Sequence, residues 1–490
     1  MPPSTPPNVL LVMTDQHRAD ALGFVGHPLV ETPNLDALAA RGSVMQNAWT
    51  PIPLCMPARS CLMTGRTGSS LGLLDNQIIL GPEADTLPNA LAKRGYRRAM
   101  FGKNHCFTCD ALARWDASEV YGIHGKEASA SRTPPTDADQ AITRWRQNDI
   151  PYFESPIHTP QPGRAEDDPA VRQTDEALRF LEADDPEGDR PFFMYLSYEA
   201  PHFPYVLPEP YFSRTHPAEM PGPAPRFAGD PARLEAQYFG TGLDRATDDD
   251  IRHVQATYLG MIELVDQQIG RVMQALERTG QLGRTLVVFC SDHGDFWGDR
   301  GLIGKSTVLY ESLLRVPMIL AGPGVPASQT MYAAVDLTDL APTLLDLAGI
   351  PASAALPVAQ GRSFAGCLHD SKQTHRRYLV AEHAFGRDHG TPREEIRRAL
   401  ERRDELQLQH GEAWFLDLLR GPTISVLDTE TNLKWIGHDA DRDELYDLSA
   451  DPDETVNLAD DPGWSAQRDR LRGLREGLDL RDADLFQALS

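Results

Sequence analysis

Basic residues are scarce in this sequence relative to acidic ones. The 490 residues include 47 Lys and Arg against 71 Asp and Glu, which gives a formal net charge of -24 at pH 7. A surface this acidic repels nucleic acid and anionic lipid, so we expect neither as a partner. It would also repel an anionic substrate, unless the site that receives the substrate carries cations of its own.

Cysteine is rare as well, and long hydrophobic runs are missing. The 6 cysteines lack the paired spacing of a disulfide framework. The N-terminal stretch lacks the basic segment, the apolar core and the cleavage site of a secretory signal. Its apolar run, Val9 to Met13, is far too short to span a bilayer. The sequence therefore predicts a cytoplasmic protein that keeps its thiols reduced and does not associate with membranes, and it leaves export by another route open.

Short apolar runs alternate with helix-like segments along the first three quarters of the chain. The runs typical of buried strands cover residues 9–13, 191–197, 285–290 and 316–321, and the longest segment of helical periodicity is Asp249 to Thr279. This alternation predicts an α/β fold with a large, mostly parallel sheet covered by helices on both faces. Ligands bind such sheets where the carboxyl ends of strands open into loops. Two of the runs end there in polar pairs, Asp15-Gln16 and Asp292-His293.

The pattern of predicted elements changes near residue 372. Four short strand-like segments with polar turns between them (377–382, 423–427, 432–436 and 444–448) precede a helix-like segment, 464–478. They predict a small antiparallel sheet closed by a helix. We therefore divide the chain into a catalytic unit, residues 1–371, and a C-terminal subdomain, residues 372–490.

Two long irregular stretches interrupt the predicted catalytic unit. They run from Ala111 to Asp168 and from Pro201 to Pro231. Long loops of this kind either line or cover a functional site, or they are plain surface insertions, and the sequence leaves both interpretations open.

The most informative segment is Leu54-Cys55-Met56-Pro57-Ala58-Arg59-Ser60. The bare pattern Cys-x-Pro-x-Arg is expected roughly 0.05 times by chance in a chain of this composition. Taken alone, Cys55 could be a buried thiol or a metal ligand. The residues around it favour a different interpretation.

The segment resembles the active-site signature of the sulfatase family, and the resemblance extends over almost the whole chain. In that family a dedicated formylglycine-generating enzyme oxidises the cysteine of Cys-x-Pro-x-Arg, and it would be a maturation partner here. Further family blocks appear in the expected order: Thr14-Asp15-Gln16, Gly102-Lys103-Asn104-His105, Ala200-Pro201-His202, Ser291-Asp292-His293-Gly294, Gly304-Lys305-Ser306-Thr307, Arg315-Val316-Pro317 and Glu444-Leu445-Tyr446-Asp447-Leu448. The resemblance implies an alkaline-phosphatase-like α/β sandwich with a smaller C-terminal α+β unit.

The resemblance also implies a reaction. A sulfate ester resists hydrolysis because its oxygens repel nucleophiles and its leaving alkoxide is poor, so the site needs a strong nucleophile, positive charge and a general acid. The hydrated aldehyde made from Cys55 would carry two hydroxyls, one to attack sulfur and one to expel sulfate. The expected products are an alcohol and inorganic sulfate.

A divalent cation is implied by the same blocks. Asp15, Gln16, Asp292 and His293 would hold it, with an atom of residue 55 completing the set. Many sulfatases have a second Asp in place of Gln16 and an Asn in place of His293. Oxygen ligands suit calcium, which we expect, whereas an imidazole nitrogen shifts the preference toward manganese, which stays open.

Three basic residues would supply the cations that the acidic surface lacks. By resemblance, Arg59 orients residue 55, while Lys103 and Lys305 neutralise the sulfate oxygens. His105 would take the proton that triggers release of sulfate, and His202 would protonate the leaving oxygen together with Lys305. Asp292 is the expected base toward the attacking hydroxyl.

Two further features are less specific. Asn76 follows the signature closely, and an Asn in a similar place contacts substrate in the choline-sulfatase-like branch, so Asn76 is a candidate substrate residue or else a turn former. Cys106 and Cys109 form one Cys-x-x-Cys pair, which we interpret as incidental because a single pair without context is weak support for a redox or zinc site.

Two other functions remain open from the sequence. Gln16 with His293 also resembles the branch of phosphonate monoester hydrolases and phosphodiesterases, which uses the same modified cysteine, whereas Lys103 and His105 favour the sulfatase branch. A non-catalytic relative that binds sulfated ligands is the second alternative, and an unmodified thiol at residue 55 would favour it. Resemblance to the choline-sulfatase and phosphonate branches also predicts a homo-oligomer.

Overall fold

In the computed structural model, the described residues are 6–76, 80–121, 158–185, 188–227, 230–241, 243–305, 308–370, 372–383, 418 and 421–477. Within them, the strands of a large sheet are β1 (Asn8–Thr14), β2 (Gly42–Trp49), β3 (Arg97–Lys103), β4 (Ala117–Tyr121), β6 (Phe192–Ser197), β8 (Thr285–Ser291), β9 (Met318–Ala321) and β10 (Gln329–Asp336). A separate parallel pair consists of β5 (His158–Gln161) and β7 (Tyr205–Pro208).

The large sheet has the strand order β10-β2-β9-β8-β1-β6-β3-β4. Strand β9 runs antiparallel to both of its neighbours, and the other neighbouring pairs are parallel. The predicted mostly parallel sheet is therefore confirmed. Every residue of β1 is buried, which explains why this strand is a continuous apolar run rather than an alternating one.

Helices follow most strands. The α-helices described are α1 (Pro33–Ala40), α2 (Cys55–Thr64), α3 (Gly68–Leu71), α4 (Leu87–Ala92), α5 (Cys109–Leu112), α6 (Pro169–Glu182), α7 (Ala232–Gly240), α8 (Asp248–Arg278), α9 (Glu311–Leu314), α10 (Leu340–Leu347), α11 (Ala352–Ala355) and α12 (Ser465–Gly477). The longest, α8, begins at a capping box in which the side chains of Thr247 and Asp250 satisfy each other's main-chain N–H groups.

The two faces of the sheet carry separate apolar cores. Val9 and Leu11 of β1 pack in one core with residues of α2, α4 and α10. Leu10 and Val12 pack in another core with residues of α1, α6 and α8. Because successive side chains of a strand point to opposite faces, this alternation buries β1 completely between two layers of helices.

The C-terminal part contains an antiparallel sheet in the order β11 (Tyr378–His383), β12 (Thr423–Asp428), β13 (Leu433–His438) and β14 (Glu444–Asp447). Helix α12 packs on one face of this sheet, where Leu471 joins a core with Val426 and Trp435. The predicted small α+β unit is confirmed, whereas the boundary between residues 371 and 372 stays a prediction.

Buried ion pairs link the small sheet to the rest of the chain. Lys434 of β13 lies 2.9 Å from a carboxylate oxygen of Glu311, at the start of α9, and 2.8 Å from one of Glu454. Arg233 of α7 contacts Glu444 of β14. Breaking one partner of such a buried pair costs about 3–5 kcal/mol, so the two parts are tied energetically as well as by the chain.

The structure bears on one irregular stretch and on the expected absence of membrane-spanning helices. Of the irregular stretch Ala111 to Asp168, residues 122–157 lie outside the described residues, and the rest includes strands β4 and β5, the end of α5 and a 3₁₀ helix, Ala165–Asp167. None of the described helices combines the length and the apolar character that crossing a bilayer requires.

Candidate active site

The site lies where four neighbouring parallel strands of the large sheet end. In register, Thr14 of β1 is level with Ser291 of β8, Met13 of β1 with Ser197 of β6, and Gly102 of β3 with Ser197. The polar residues that follow these positions therefore emerge at one edge of the sheet, as the sequence predicted.

Cys55 reaches this edge from the first position of α2. Leu54 before it is extended, so the chain turns into the helix at the cysteine itself. The thiol is 2% exposed. Its Sγ lies 2.8 Å from Lys305 Nζ, 3.5 Å from Asp15 Oδ1 and 3.5 Å from His293 Nε2. Residue 55 thus lies beside the Asp15 carboxylate, and burial followed by the charge of Asp15 raises the pKa of its thiol.

Arg59 lies one turn of α2 further on and is fully buried. It donates from Nε to Asp292 Oδ2 at 2.8 Å and from Nη2 to Asp15 Oδ2 at 2.9 Å. Its remaining nitrogen, Nη1, donates to Tyr195 OH at 2.9 Å and to Ser197 Oγ at 2.6 Å. The guanidinium is therefore a fixed brace between the ends of β1, β6 and β8.

Four of the predicted metal ligands form a buried cluster. One donor atom each of Asp15, Cys55, Asp292 and His293 lies within 4.8 Å of all the others. The Nε2 atom of His293 is 3.6 Å from Asp15 Oδ1 and 3.7 Å from Asp292 Oδ1. Two ligands at right angles around an ion, each 2.3–2.6 Å from it, are about 3.3–3.7 Å apart. The donor set therefore fits a divalent cation.

The histidine and the glutamine at this cluster also fit a cation. His293 Nδ1 lies 2.9 Å from the carbonyl of Gly294, so this nitrogen carries the proton and Nε2 keeps its lone pair for the cluster. Gln16 directly follows Asp15, and its main-chain N–H donates to Asp292 Oδ1 at 3.0 Å. Its buried side-chain oxygen, Oε1, has no hydrogen-bond partner among the described residues, as expected for an atom that contacts an ion.

The two carboxyls of the cluster differ in acidity. Burial would raise the pKa of Asp15, but Lys103, His202, Lys305 and Arg59 hold it well below its usual range. Burial and the nearby charge of Asp15 instead raise the pKa of Asp292 to about 6. Two carboxyls this close repel each other, so one of them binds a proton more readily than the other.

Lys103 and Lys305 supply the positive charge that the sequence required. Lys103 Nζ is fully buried, 2.6 Å from Asp15 Oδ2 and 3.9 Å from Cys55 Sγ. Lys305 Nζ is 3.1 Å from His293 Nε2 and 3.9 Å from Asp15 Oδ1, and its side chain is 13% exposed. Lys305 is thus the more accessible of the two cations beside residue 55.

The two candidate proton-transfer histidines are also buried there. His202 Nε2 is 3.9 Å from Asp15 Oδ1, and its Nδ1 faces the carbonyl of Phe203. Burial, reinforced by Lys103, lowers the pKa of His105 well below its usual value, and burial with Lys305 does the same for His202. Both imidazoles are therefore neutral while the site is empty of substrate.

Asn76 lies beside this centre rather than in it. It is exposed, and its Oδ1 accepts from the main-chain N–H of Met56 at 3.3 Å. It is thus adjacent to residue 55, in a position from which it can contact a substrate, and its assignment as a substrate residue stays a prediction.

Several residues of the site were not singled out from the sequence. Tyr195 and Ser197 hold Arg59. Both lie on a predicted strand, two residues apart and therefore on the same face, and Ser197 is at the carboxyl end of that strand. This pattern was a sequence signal for both residues. Asp295 accepts a hydrogen bond from Gln16 Nε2. Its position two residues after His293 was visible, but nothing in the sequence showed which side chain it contacts.

The strand ends of this sheet bring two carboxylates, an imidazole, two buried cations and the partly accessible Lys305 around one reactive side chain. Such an arrangement is typical of metal-assisted hydrolases of anionic esters. A sequence profile described as Sulfatase matches residues 7–350. An arylsulfatase of Clostridium perfringens is 30% identical over 407 residues, which cover 78% of this chain and 82% of the relative. The chain belongs to the sulfatase family, and it is an enzyme of the sulfuric ester hydrolase class.

Two further relatives show the breadth of this similarity. A choline-sulfatase of Rhizobium meliloti is 27% identical, over 96% of this chain and 86% of its own length. The solved structure of a phosphonate monoester hydrolase from Silicibacter pomeroyi superposes with a TM-score of 0.72 at 25% identity, and the match covers 96% of this chain and 95% of that one. The fold predicted by resemblance is therefore confirmed.

Proposed function

We propose that the protein hydrolyses a sulfate monoester to an alcohol and inorganic sulfate, with Cys55 converted to formylglycine and one divalent cation bound beside it. The observation that carries this proposal is the position of Cys55 Sγ between Lys305 Nζ, at 2.8 Å, and Asp15 Oδ1, at 3.5 Å. The raised pKa of the thiol leaves an unmodified Cys55 protonated and weakly nucleophilic, so the nucleophile in this proposal is the modified residue and not the thiol. The aldehyde hydrate and the cation would together supply an acidified hydroxyl as the nucleophile.

The cationic side chains bind and orient the anionic group. Lys305, which is partly accessible, lies where it can contact an oxygen of a sulfate next to residue 55. Lys103 is held against Asp15 and offsets the charge of that carboxylate. Arg59, bound to both carboxylates, keeps them and the start of α2 in a fixed arrangement before substrate arrives.

The two histidines move protons in this proposal. Nδ1 of His202 is committed to the Phe203 carbonyl, so Nε2 is the atom that exchanges a proton with the leaving oxygen. A bound anion offsets the charge of Lys305 and Lys103, and this makes protonation of His202 easier than in the free enzyme. His105 would accept the proton that accompanies release of sulfate.

The cation is proposed to be calcium, with manganese as the alternative. The two carboxylates and the side-chain oxygen of Gln16 favour a hard ion such as calcium. The imidazole of His293 is the one feature that favours a transition ion.

Hydrolysis of a phosphonate monoester or a phosphodiester is the second candidate. Gln16 and His293 at the cluster favour it, as does the similarity to the phosphonate monoester hydrolase. Lys103 and His105 favour the sulfate ester. The alcohol part would contact Asn76 and residues of the stretches 111–168 and 201–230. A cytoplasmic location and a homo-oligomeric state stay predictions.

Two measurements test the proposal. The first is the mass of the tryptic peptide 42–59, which should show the aldehyde or its hydrate at residue 55 in protein from the native host. The second is the specificity constant for an aryl sulfate compared with that for a phenylphosphonate monoester. A thiol in native protein would contradict the nucleophile, and a higher constant for the phosphonate would favour the second candidate.

A further inference from the structure

Gln16 is held by unusually complete hydrogen bonding on three of its four polar groups. Its backbone is left-handed, with φ of 68°, a conformation that costs free energy outside glycine. Its main-chain N–H donates to Asp292 Oδ1 at 3.0 Å, and its carbonyl accepts from Tyr258 OH at 2.8 Å. The side-chain Nε2 donates to Asp295 Oδ2. Oε1 is the one polar atom of Gln16 without a hydrogen-bond partner among the described residues.

Asp295 is fully buried and accepts hydrogen bonds on both oxygens. Oδ2 receives Gln16 Nε2 and Tyr205 OH, the latter at 2.8 Å. Oδ1 receives two main-chain N–H groups, those of Trp297 at 2.5 Å and Gly304 at 3.2 Å. Gly304 directly precedes Lys305, so the same carboxylate contacts the loop that carries this lysine.

We propose that Asp295 is a positioning residue that fixes which end of the Gln16 amide faces the cation. An amide is nearly symmetric in shape, so packing alone does not distinguish its oxygen from its nitrogen. A carboxylate accepts hydrogen bonds and donates none, so Asp295 selects the NH₂ group and leaves Oε1 for the cation. This inference rests on the proposed cation site and deepens it.

Replacing Asp295 by asparagine should reverse the amide. The two main-chain N–H groups at Oδ1 cannot become acceptors, so the oxygen of an asparagine has to stay there. Its NH₂ then takes the place of Oδ2 and faces Gln16 and Tyr205. The tyrosine hydroxyl can rotate to accept, and the Gln16 amide has to flip to offer Oε1. The flip turns N–H donors toward the cation and removes one ligand.

The test is a calorimetric titration of metal-free, full-length protein with Ca²⁺ and, separately, with Mn²⁺. The state of residue 55, verified by mass, is the same in every sample. Asp295→Asn should raise the dissociation constant by about 10- to 100-fold, the usual effect of losing a residue that orients a ligand. Asp266→Asn is the matched control, because this buried carboxylate also accepts from main-chain and amide N–H groups, those of Leu35 and Asn34. It should leave the dissociation constant within twofold of the unmutated value.

The decisive variant reverses the hydrogen bond. In the double variant Gln16→Glu with Asp295→Asn, the new NH₂ donates to one oxygen of residue 16 and leaves the other for the cation, while the net charge is unchanged. The dissociation constant of this variant should be no more than about threefold above that of the unmutated protein. If Asp295 had only a structural role, the added Gln16→Glu substitution would not restore the affinity for the cation.

The possible outcomes separate the inference from the proposed function. Unchanged affinity in Asp295→Asn overturns the inference alone, and so does a folded double variant that binds as weakly as Asp295→Asn. Should Asp295→Asn fail to fold, a folded double variant that binds the ion at least 10-fold more weakly than the unmutated protein overturns the inference. Failure of the unmutated protein to bind either ion would overturn both the cation site and the inference.

Discussion

Removing the charge of Lys305 tests the proposed chemistry most directly. Methionine keeps the unbranched side chain as far as Cε and lacks the ammonium group. Lys305 Nζ lies 2.8 Å from Cys55 Sγ, so an oxygen of a sulfate bound to residue 55 falls within about 4 Å of it. A pair of unit charges at that distance attracts by about 4 kcal/mol at an effective dielectric constant of 20.

Only the part of this attraction that grows in the transition state accelerates the reaction. Losing one preorganised donor of this kind lowers the rate by about 10²- to 10³-fold. We therefore expect Lys305→Met to lower kcat/KM by roughly that factor. Because Lys305 is also proposed to help protonate the leaving oxygen, the loss should be larger for poor leaving groups than for good ones.

The assay is a steady-state comparison over a series of aryl sulfates whose phenols differ in pKa. Metal content and the state of residue 55 are measured in each preparation. Lys93→Met, at an exposed lysine after α4, is the control and should leave kcat/KM unchanged. If Lys305→Met keeps more than a third of the unmutated kcat/KM for every substrate, the placement of this charge in the reaction is wrong.

Three other predictions follow from the structure. Chelation should abolish activity and lower the melting temperature, and readdition of Ca²⁺ or Mn²⁺ at 100 times its dissociation constant should restore about 2.7 kcal/mol of stability; full activity in protein free of metal by elemental analysis would contradict this. Burial raises the pKa of Asp336 to about 7, so between pH 4 and 7 the folded state keeps a proton on this carboxyl that the unfolded state has lost. The contribution of Asp336 to the free energy of unfolding should therefore fall by at most about 4 kcal/mol as the pH rises from 4 to 7. The Asp336→Asn variant should lose this part of the pH dependence when the free energy of unfolding is measured by urea denaturation at several pH values. An unchanged pH dependence would refute the assignment. Asn76→Ala should raise KM several-fold with little change in kcat, whereas an unchanged KM would exclude contact with substrate.

The sequence was sufficient to predict the layout of the site because its signals are local. Asp15 and Asp292 each follow a short buried strand, and the carboxyl ends of parallel strands share one edge of a sheet. The structure brings both carboxylates together with Cys55 and His293. The roles of the individual residues came from the family resemblance, and they stay predictions.

The direction and order of the strands were not predictable in the same way. Residues 316–321 were identified as a strand, yet nothing in their composition shows that β9 (Met318–Ala321) runs antiparallel to its neighbours β2 and β8. Pairing direction depends on where the connecting chain re-enters the sheet, which is a property of the whole fold.

The hydrogen bonds that orient the site were hidden for a related reason. Tyr195 contacts Arg59 over a separation of 136 residues, and Gln16 contacts Asp295 over 279. The left-handed backbone of Gln16 is likewise imposed by distant partners, since glutamine does not favour it. Contacts of this kind exist only after the sheet has formed.

The acidic surface and an anionic substrate are compatible because salt screens charges at the surface more strongly than charges in the buried site. Surface charges are screened over about 8 Å at physiological ionic strength, whereas buried charges are screened much less. In the site, three cations (Arg59, Lys103 and Lys305) outnumber the two carboxylates Asp15 and Asp292, and a divalent ion would add two further positive charges. Because Gln16 is neutral, it keeps this centre one charge more positive than a third carboxylate would. A net charge of -24 therefore does not prevent the site from attracting an anionic ester once the ester has entered it.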